Sequence, residues 1–485
     1  MLSPIDLISQ PEGKTLEFKR DLSSPKNIVK TIVAFANTAG GRIIIGVEDG
    51  SHAVTGVADP LDEEERLCNL IADSIAPRLV PDLELLSIKD KTLLLVQVYP
   101  SGGRPHFLKK EGPVDGVYVR LGSTNRKADR ELIAELSRTS SGVSYDELPM
   151  PDLAEEDLDI EAAQKSFSGI HELTREELLT LKLLVKDQGR DVPTHGSMLL
   201  YGKRRDYYFP DAWVQCGRFI GKDKAYIFDH IDIHDHLPDA VESIILFLKK
   251  HAMRGADFSD IRRRDIWSIP LTILREVIIN ALVHADYSQI GAPIRVSFFD
   301  DRIEIENPGI LLPGMTIEDV KSGVSKIRNR VIARVFRELD LIEQWGSGFR
   351  RILKEAEEQG IPEPVIEEIG MRVRVTVFLS EELVIHTKGL SRDQAGTESG
   401  PSPPNGDLVL LNDEQHLVLQ ACIQESGITE LMAVVHRTNR SKFREAVINS
   451  LLDKGLLEMT VPEKPNSSKQ KYRVTRKGKD LVGIH

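Results

Sequence analysis

The sequence predicts an α+β chain of several domains, and three of its features support that fold class. At 485 residues the chain is too long for one ordinary hydrophobic core. Segments with two-residue alternation of apolar side chains, typical of strands, are interspersed with segments of helical spacing. A stretch rich in Gly, Ser and Pro at residues 389–407 is typical of a flexible linker. The linker sets the last part of the chain apart from the rest.

The first domain is predicted to span residues 1–140 and to be compact. Its predicted strands cover residues 15–19, 42–47, 83–88, 93–98 and 117–120, and its helices cover residues 25–38 and 62–75. The second domain, with a connecting segment before it, is predicted for residues 150–385. Its predicted strands cover residues 198–201, 213–220, 294–299, 302–306 and 371–379, and its helices cover residues 239–251, 271–284, 329–339 and 350–358.

The last domain is predicted for residues 408–485, after a linker at residues 386–407. Three helices are predicted, at residues 413–424, 428–436 and 440–454, and a hairpin follows around residues 462–470. Helix, helix, helix and hairpin is the order of a winged helix-turn-helix, in which the third helix enters a DNA groove and the hairpin contacts the backbone.

Composition limits the cellular compartments and the binding partners that are expected for this chain. The three cysteines lie far apart without CxxC spacing, which excludes a disulfide scaffold and a thiolate zinc site and fits a reducing compartment. No apolar run approaches the ~20 residues that cross a bilayer, and the first residues do not resemble a signal peptide. We therefore expect a cytoplasmic protein without a membrane partner. The net charge of −12 argues against nucleic-acid binding over the whole surface, but not against local basic faces.

Three carboxylates near the N-terminus form a candidate metal centre. Glu17 lies on a predicted strand next to Lys19, Asp49 ends the next buried strand, and Glu12 precedes both. Converging carboxylates hold Mg²⁺ or Mn²⁺, and a metal so held activates water against a phosphodiester. On spacing alone, three acids on a solvated surface are the favoured explanation of the pattern.

A second group of residues suggests a nucleotide site. Glu276 and Asn280 lie four residues apart on one face of a predicted helix, where a carboxylate can orient water and an amide oxygen can ligate Mg²⁺. Two glycine turns follow, one at residues 306–309 and one at residues 345–349, and the second precedes a helix. The N-terminus of a helix suits phosphate. Each feature alone also fits an exposed polar stripe or a sterically required glycine.

The N-terminal motifs resemble the Schlafen-type AlbA-like domain over about the first 130 residues. They are Glu12-x-x-x-x-Glu17-Phe18-Lys19, Ala34-Phe35-Ala36-Asn37-Thr38-x-Gly40-Gly41 and Ile45-Gly46-Val47-x-Asp49. The resemblance implies nucleic-acid binding, as presumed for bacterial domains of this type. It also implies a metal-dependent RNase centre at Glu12, Glu17 and Asp49, as in the animal Schlafen proteins. Those enzymes use two tandem lobes, whereas this chain has one, so a complete groove would need a second chain. Lys19 and Arg42 are candidate phosphate contacts.

The second domain resembles the Bergerat-type α/β sandwich ATPase of gyrase and histidine kinases, in a divergent branch often found behind AlbA-like domains. The resemblance implies ATP and Mg²⁺ as cofactors, with Glu276 as general base and Asn280 as metal ligand. The other expected nucleotide contacts are Asn307, Gly309, Ser325, Arg328, Asn329, Gly346, Ser347 and Gly348. One departure is that Asn307, or Glu306 if the register slips, stands where the family carries an adenine-binding Asp. A binder that hydrolyses ATP slowly is therefore expected.

Basic residues in the winged helix suggest contact with nucleic acid. The candidates are Arg440, Lys442 and Arg444 near the start of the third helix, and Lys469 and Lys471 in the wing. A winged helix used for protein contacts is the alternative.

Three functions remain open at this point. The first is an ATP-switched, DNA-binding transcriptional regulator that acts as a homo-oligomer. The second is an ATP-gated, metal-dependent nuclease in defence, and the third is a degenerate ATPase fold that serves oligomerisation. Because no Gly-x-x-x-x-Gly-Lys-Ser/Thr motif occurs, the sequence does not predict a helicase motor.

Overall fold

The computed structural model describes most of the chain and divides it into two compact units, residues 1–395 and residues 396–485. The described residues are 4–252, 254–257, 264–342 and 348–379 in the first unit and 418–419, 421–423, 425–435, 443–453, 455–460, 470–476 and 479 in the second. Helices and small sheets alternate throughout, so the predicted α+β multidomain class is confirmed.

The N-terminal domain is built on a four-stranded sheet. Its helices are α1 (Pro4–Ile8), α2 (Pro25–Asn37), α3 (Pro60–Ser74), α4 (Gly112–Asp115) and α5 (Arg130–Ser140), and its strands are β1 (Leu16–Lys19), β2 (Gly41–Ile45), β3 (Ile75–Ala76), β4 (Asp82–Ile88), β5 (Lys91–Val98), β6 (Phe107–Leu108), β7 (Tyr118–Leu121) and β8 (Thr124–Lys127). The sheet order is β1-β2-β5-β4, with β1 parallel to β2 and the other pairs antiparallel. Apolar residues of α2 pack on one face of the sheet, and α1 covers the other.

Buried Asn37 holds the end of α2 against two other parts of this domain. Its amide nitrogen donates to the carbonyl oxygens of His106 and Tyr118, each at 2.9 Å, and its side-chain oxygen accepts from the His106 N–H at 2.7 Å. These bonds satisfy backbone groups that no water reaches. The Asn in the Ala34–Thr38 motif is therefore a structural tie.

The second domain carries a six-stranded sheet of order β12-β11-β15-β16-β18-β17. Its strands are β9 (Leu184–Asp187), β10 (Arg190–Pro193), β11 (Val214–Phe219), β12 (Ile227–Ile233), β13 (Arg254–Asp257), β14 (Arg264–Trp267), β15 (Ile294–Phe298), β16 (Arg302–Pro308), β17 (Val365–Ile369) and β18 (Arg372–Phe378). Its helices are α6 (Ile160–Ser166), α7 (Arg175–Thr180), α8 (His195–Tyr201), α9 (Arg205–Tyr208), α10 (Leu237–His251), α11 (Leu271–His284), α12 (Ile317–Lys321), α13 (Arg330–Glu338) and α14 (Gly348–Glu358). Helix α11, predicted with these bounds, packs between α10 and α14.

One strand prediction in this domain is wrong. Residues 198–201 were expected to form a strand, but they end the helix α8. Thr194 caps that helix by accepting the N–H of Ser197 at 3.1 Å. The four apolar residues are buried on every side, so they show neither helical nor strand periodicity.

A long-range cap fixes the start of α13. The carboxylate of Asp146, which is fully buried, accepts the backbone N–H groups of Arg330, Val331 and Ile332 at 3.0, 2.6 and 3.0 Å. These donors have no partner within the helix, and the helix dipole favours an anion at this end. Burial raises the pKa of Asp146 to about 6, although these hydrogen bonds oppose the shift.

The C-terminal unit has its own core and a small antiparallel sheet. Its described elements are β19 (Ser426–Gly427), α15 (Ile428–Val434), a π-helical turn (Arg444–Asn449) that continues as α16 (Ser450–Asp453), β20 (Leu457–Met459) and β21 (Lys471–Val474). β20 and β21 pair antiparallel across the expected wing. From α15 onward the described elements follow the order of the predicted winged helix. Most of the predicted first helix (residues 413–424), most of the hairpin around residues 462–470 and the expected linker at residues 386–407 lie outside the described residues.

All three cysteines are free thiols. Among the described residues, no helix combines the length and the apolar character needed to traverse a bilayer.

We predict that Asn37→Ala destabilises the protein by about 2–4 kcal/mol, because three buried hydrogen bonds are lost and their backbone partners stay buried. Chemical denaturation followed by circular dichroism measures the loss. Asn27→Ala on the exposed face of the same helix is the matched control and should change stability by less than about 0.5 kcal/mol. Equal effects of the two substitutions would contradict the structural role assigned to Asn37.

Candidate functional site

Helix α11 brings Glu276 and Asn280 into the wall of a cavity of about 400 Å³ in the second domain. The two side chains lie one helical turn apart, and the Asn280 amide nitrogen is 3.4 Å from Glu276 Oε1. The remaining wall is mainly apolar, as in most small-molecule sites. It includes Val277, Ile305, Met315, Ile327, Phe349, Ile352, Val373 and Val375.

Arg351 holds the Glu276 carboxylate, a contact that the sequence analysis missed. Its guanidinium donates to Glu276 Oε2 at 2.7 Å from the first turn of α14. Gly348, which starts the same helix, lies against the Glu276 side chain so closely that a Cβ would collide with it. The sequence does contain a signal for this contact. Arg351 follows Gly348 by three residues, and a side chain at that position of a helix points back toward the helix start.

The end of β16 settles which residue of the first glycine turn faces the cavity. Asn307 lines the cavity, and its amide donates to the backbone oxygen of Pro308 at 3.2 Å. Glu306 is ion-paired with Arg374 at 2.6 Å and does not line the cavity. Gly309 has a φ of +99°, and a Cβ there would come within 3.0 Å of Asp286 and Arg328. Glycine is thus required at this position for steric reasons.

Arg328 links the cavity wall to the N-terminal domain. Its guanidinium donates to the carboxylate of Glu135 in α5 and to the backbone oxygen of Ile310, and Asp286 lies 4.0 Å away. All three charged side chains are buried. Burial raises the pKa of Glu135 to about 7, and the Arg328 guanidinium opposes that rise. Arg328 lines the cavity while its charge is shared with the neighbouring domain.

Asn329 has a different environment from its neighbour. Its buried amide donates to the backbone oxygens of Val283 and Ala285 at 2.8 and 2.7 Å, where α11 ends. Asn329 and Gly309, both predicted as nucleotide contacts, do not line the cavity. Burial lowers the pKa of His284, a cavity-lining residue, to about 4, and its imidazole is therefore neutral at neutral pH.

The cavity has the chemistry of a nucleotide site. Its apolar wall suits a base, and the basic side chains of Lys326, Arg328 and Arg337 line it together with the two amides and the Glu276 carboxylate. Ser325 and Gly348 also line it, whereas Gly346 and Ser347 lie outside the described residues. Amide and carboxylate oxygens, as on Asn280 and Glu276, are of the type that ligates Mg²⁺.

The N-terminal carboxylates lie near one another, but Glu17 is already engaged. Arg120, which is buried, donates to one Glu17 oxygen, and Lys19 contacts the other at 2.5 Å. Burial raises the pKa of Glu12, and the nearby charges of Glu17 and Asp49 add to the rise. No group of three His, Cys, Asp or Glu side chains placed to hold a metal ion is found in the described part of the chain. The expectation of three solvated acids is wrong for Glu17, which is buried.

The predicted nucleic-acid contacts have diverse surroundings. Lys19 is tied to Glu17, and Arg42 donates to Gln97 at 2.6 Å. In the C-terminal unit, Lys471 is exposed on β21 and Arg444 is half-buried. Arg440, Lys442 and Lys469 lie outside the described residues.

Comparison with protein-family models matches three parts of the chain. Residues 12–129 match the family described as "Schlafen, AlbA_2", and residues 291–377 match "Putative ATP-dependent DNA helicase recG C-terminal". The resemblance predicted from the sequence is therefore confirmed for the first two domains. Residues 414–475 match the "Filamentation induced by cAMP protein Fic-like, C-terminal domain" family. The AlbA_2 domain and the RecG-type domain together indicate nucleotide and nucleic-acid binding.

Solved structures resemble the chain only distantly. The DIP2311 protein from Corynebacterium diphtheriae is 18% identical, with 95% of each chain covered and a TM-score of 0.40. The N-terminal domain of a RecG-related protein from Nitrosomonas europaea is 28% identical over 26% of this chain and 94% of its own, with a TM-score of 0.22. A Fic family protein from Desulfovibrio desulfuricans is 13% identical over 72% of this chain and 77% of its own, with a TM-score of 0.14.

We predict that Glu135→Gln flattens the dependence of stability on pH. Because the folded pKa of Glu135 is raised from 4.5 to about 7, its contribution to stability is present below pH 4.5 and is lost as the pH rises through 7. Between pH 5 and 8 the free energy of unfolding should therefore fall by roughly 2–3 kcal/mol more in the wild type than in the variant. Urea denaturation across this range measures the difference. Glu131→Gln on the same helix should follow the wild-type profile, and parallel profiles for wild type and Glu135→Gln would contradict the prediction.

Proposed function

We propose that this chain is an ATP-switched nucleic-acid-binding protein that acts as a DNA-binding transcriptional regulator. The observation that carries the proposal is the placement of Arg328, which lines the cavity of the second domain and pairs with Glu135 of α5, the helix that follows the AlbA_2 match. A ligand that attracts this guanidinium would also act on the neighbouring domain. Both matched families agree with the two binding functions.

The cavity residues suit ATP with Mg²⁺. We assign Asn280 as the metal ligand, Asn307 as the partner of the base, and Lys326 and Arg328 as phosphate contacts, since all four line one cavity. A carboxylate in the position of Glu276 can orient water toward a phosphate. Its pairing with Arg351 occupies one of its two oxygens and restricts how the carboxylate can be oriented toward water. Slow hydrolysis, with nucleotide-driven closure as the switch, follows from that arrangement.

Pairing between the domains supplies the basis for switching. ATP brings about four negative charges that compete with Glu135 for Arg328, whereas the nucleotide-free state keeps the guanidinium on Glu135. A homo-oligomer closed by ATP would place two AlbA_2 domains and two winged helices on DNA together, which increases avidity. The winged helix offers exposed Lys471 for backbone contact.

The nuclease alternative requires Glu17 to leave its present partners. Arg120 and Lys19 together neutralise the carboxylate that would hold the metal. Removing that charge pair from a buried position is costly, since Arg120 would be left unpaired. This arrangement favours a binding domain over a cutting one.

We predict that ATP with Mg²⁺ protects the protein against unfolding, by about 2.7 kcal/mol at a hundredfold excess over Kd.

Asn280→Ala should weaken magnesium-dependent nucleotide affinity at least about tenfold, because it removes a metal ligand. Glu276→Gln should keep affinity within a few-fold and lower turnover by about a hundredfold or more. Thermal shift, calorimetry and phosphate release measure these effects, and Asn27→Ala is the matched control for Asn280→Ala. Absence of protection by ATP would leave only the oligomerisation role.

We predict that the protein retards labelled nucleic acid without cutting it. Purified protein is incubated with tRNA, single-stranded DNA and duplex DNA, with Mg²⁺ or Mn²⁺ and with or without ATP. Duplex DNA should be retarded intact, and ATP should change its affinity severalfold. Glu17→Gln is tested beside Glu84→Gln, an exposed glutamate on β4. Cleavage that disappears only in Glu17→Gln would establish the nuclease and overturn the regulator.

A further inference from the structure

A strongly basic groove lies beside the nucleotide cavity, where the RecG-type domain meets the AlbA_2 domain. It encloses about 460 Å³, and its wall includes five basic side chains. They are Arg104, Lys326, Arg330, Arg334 and Arg337. Among the described residues that form this wall there is no Asp or Glu. This local concentration of positive charge contrasts with the chain's net charge of −12.

Helix α13 presents three of these arginines on one side. Residues 330, 334 and 337 are spaced i, i+4 and i+7, which places them within about 60° of one another around the helix. The opposite side, with Val331, Val335 and Phe336 among others, is buried in the domain core. The arginines span about 10 Å along the axis, roughly the rise of three nucleotides in one strand of B-DNA.

The partners of these cations leave their charge almost uncompensated. Arg334 donates to the backbone oxygen of Thr180 at 3.4 Å, and Lys326 donates to that of Pro313 at 2.8 Å. Arg104 donates to the Ser101 oxygen at 2.5 Å. A neutral carbonyl accepts a hydrogen bond but does not cancel a cation's charge. The buried Nε atoms of Arg104 and Arg337 have no hydrogen-bond partner.

One carboxylate approaches the groove from outside its wall. Glu147 lies 3.5 Å from Arg330, whose guanidinium also donates to the Gly142 oxygen at 2.6 Å. Glu147 is closer to Lys182, at 2.6 Å, so it neutralises Arg330 only in part. The groove keeps an excess of positive charge.

We propose that this groove binds the phosphodiester backbone of a nucleic-acid strand. The inference rests on the proposed nucleic-acid-binding function and gives it a place in the first unit. Guanidinium groups bind phosphate oxygens in a fork geometry, and several in a row suit a chain of phosphates. Exposed Lys326 and Arg330 leave the groove accessible from solvent. The contacts between the groove and the nucleic acid do not depend on base identity, because phosphates carry no sequence information directly.

The position of the groove couples its occupant to the nucleotide. Ser325, Lys326 and Arg337 line both the groove and the nucleotide cavity. A phosphate on either side therefore acts on shared side chains. Binding of nucleotide changes the affinity for nucleic acid, and the reverse coupling must be equal.

The test is a neutralised double variant, Arg330→Gln with Arg334→Gln, in the full-length protein. Neither residue lines the nucleotide cavity, and glutamine keeps helix propensity. Lys186→Gln with Arg190→Gln, two exposed cations near the β9–β10 turn, is the matched control. Binding of a labelled 20-base-pair duplex and of a 20-nucleotide single strand is measured by fluorescence anisotropy from 50 to 200 mM salt. ATP affinity and thermal unfolding are measured on the same samples.

We expect the groove variant to bind at least one of the two nucleic acids about tenfold or more weakly. The slope of log affinity against log salt should fall by about two, because two phosphate contacts are lost. The control should match the wild type, and ATP affinity should stay within about twofold in both. If the double variant unfolds, Arg334→Gln alone is used, with an expected slope change of about one.

Two outcomes would contradict the proposal that this groove binds nucleic acid. Unchanged nucleic-acid affinity and slope in a folded variant would place binding elsewhere and leave the proposed function intact. A loss of ATP affinity with nucleic-acid binding unchanged would assign the groove to nucleotide phosphates. Failure of the wild-type protein to bind either nucleic acid would instead refute the proposed function itself.

Discussion

The buried contact between Arg328 and Glu135 ties α5, the last helix of the N-terminal domain, to the wall of the cavity. Taking both charges out of water is expensive, and replacing such a pair with apolar groups is often neutral or stabilising. Under the proposed function, this pair therefore serves specificity and switching rather than net stability. Arg328 also binds the Ile310 oxygen and lies near Asp286, so moving its guanidinium disturbs three segments at once. A packed, fully buried network of this kind has discrete arrangements, which is what a switch requires.

Two side chains keep the surroundings of this network in place over long distances in sequence. Asp146 caps α13, and Asn329, which stands at the start of α13, caps the end of α11 instead. The helix with the candidate catalytic residues and the helix with the basic face are thereby joined at their ends. Orphan backbone groups at helix termini are satisfied, and both helices gain a defined position relative to the sheet.

Charge is distributed unevenly in this acidic protein. In the N-terminal domain Glu17 is paired with Arg120, while Arg330 and Arg334 of α13 donate to backbone carbonyls. A polyanion approaching the first unit therefore meets uncompensated cations at the groove. Pairing at Glu17 also changes the meaning of the three N-terminal carboxylates. One of these acids, Glu17, is held here in a buried ion pair with Arg120.

The sequence by itself determined the α+β class, helix α11 with its Glu276 and Asn280, the β15–β16 hairpin and the identity of the first two domains. Periodicity and local motifs carry that information, because they depend on neighbours within a few residues. Tertiary structure alone decided that Asn307 rather than Glu306 faces the cavity, that residues 198–201 are helical, and that Arg351 holds Glu276. It also decided that Asn329 caps the end of α11 and that arginines of α13 line a basic groove. These features depend on partners tens to hundreds of residues away, which sequence spacing does not encode.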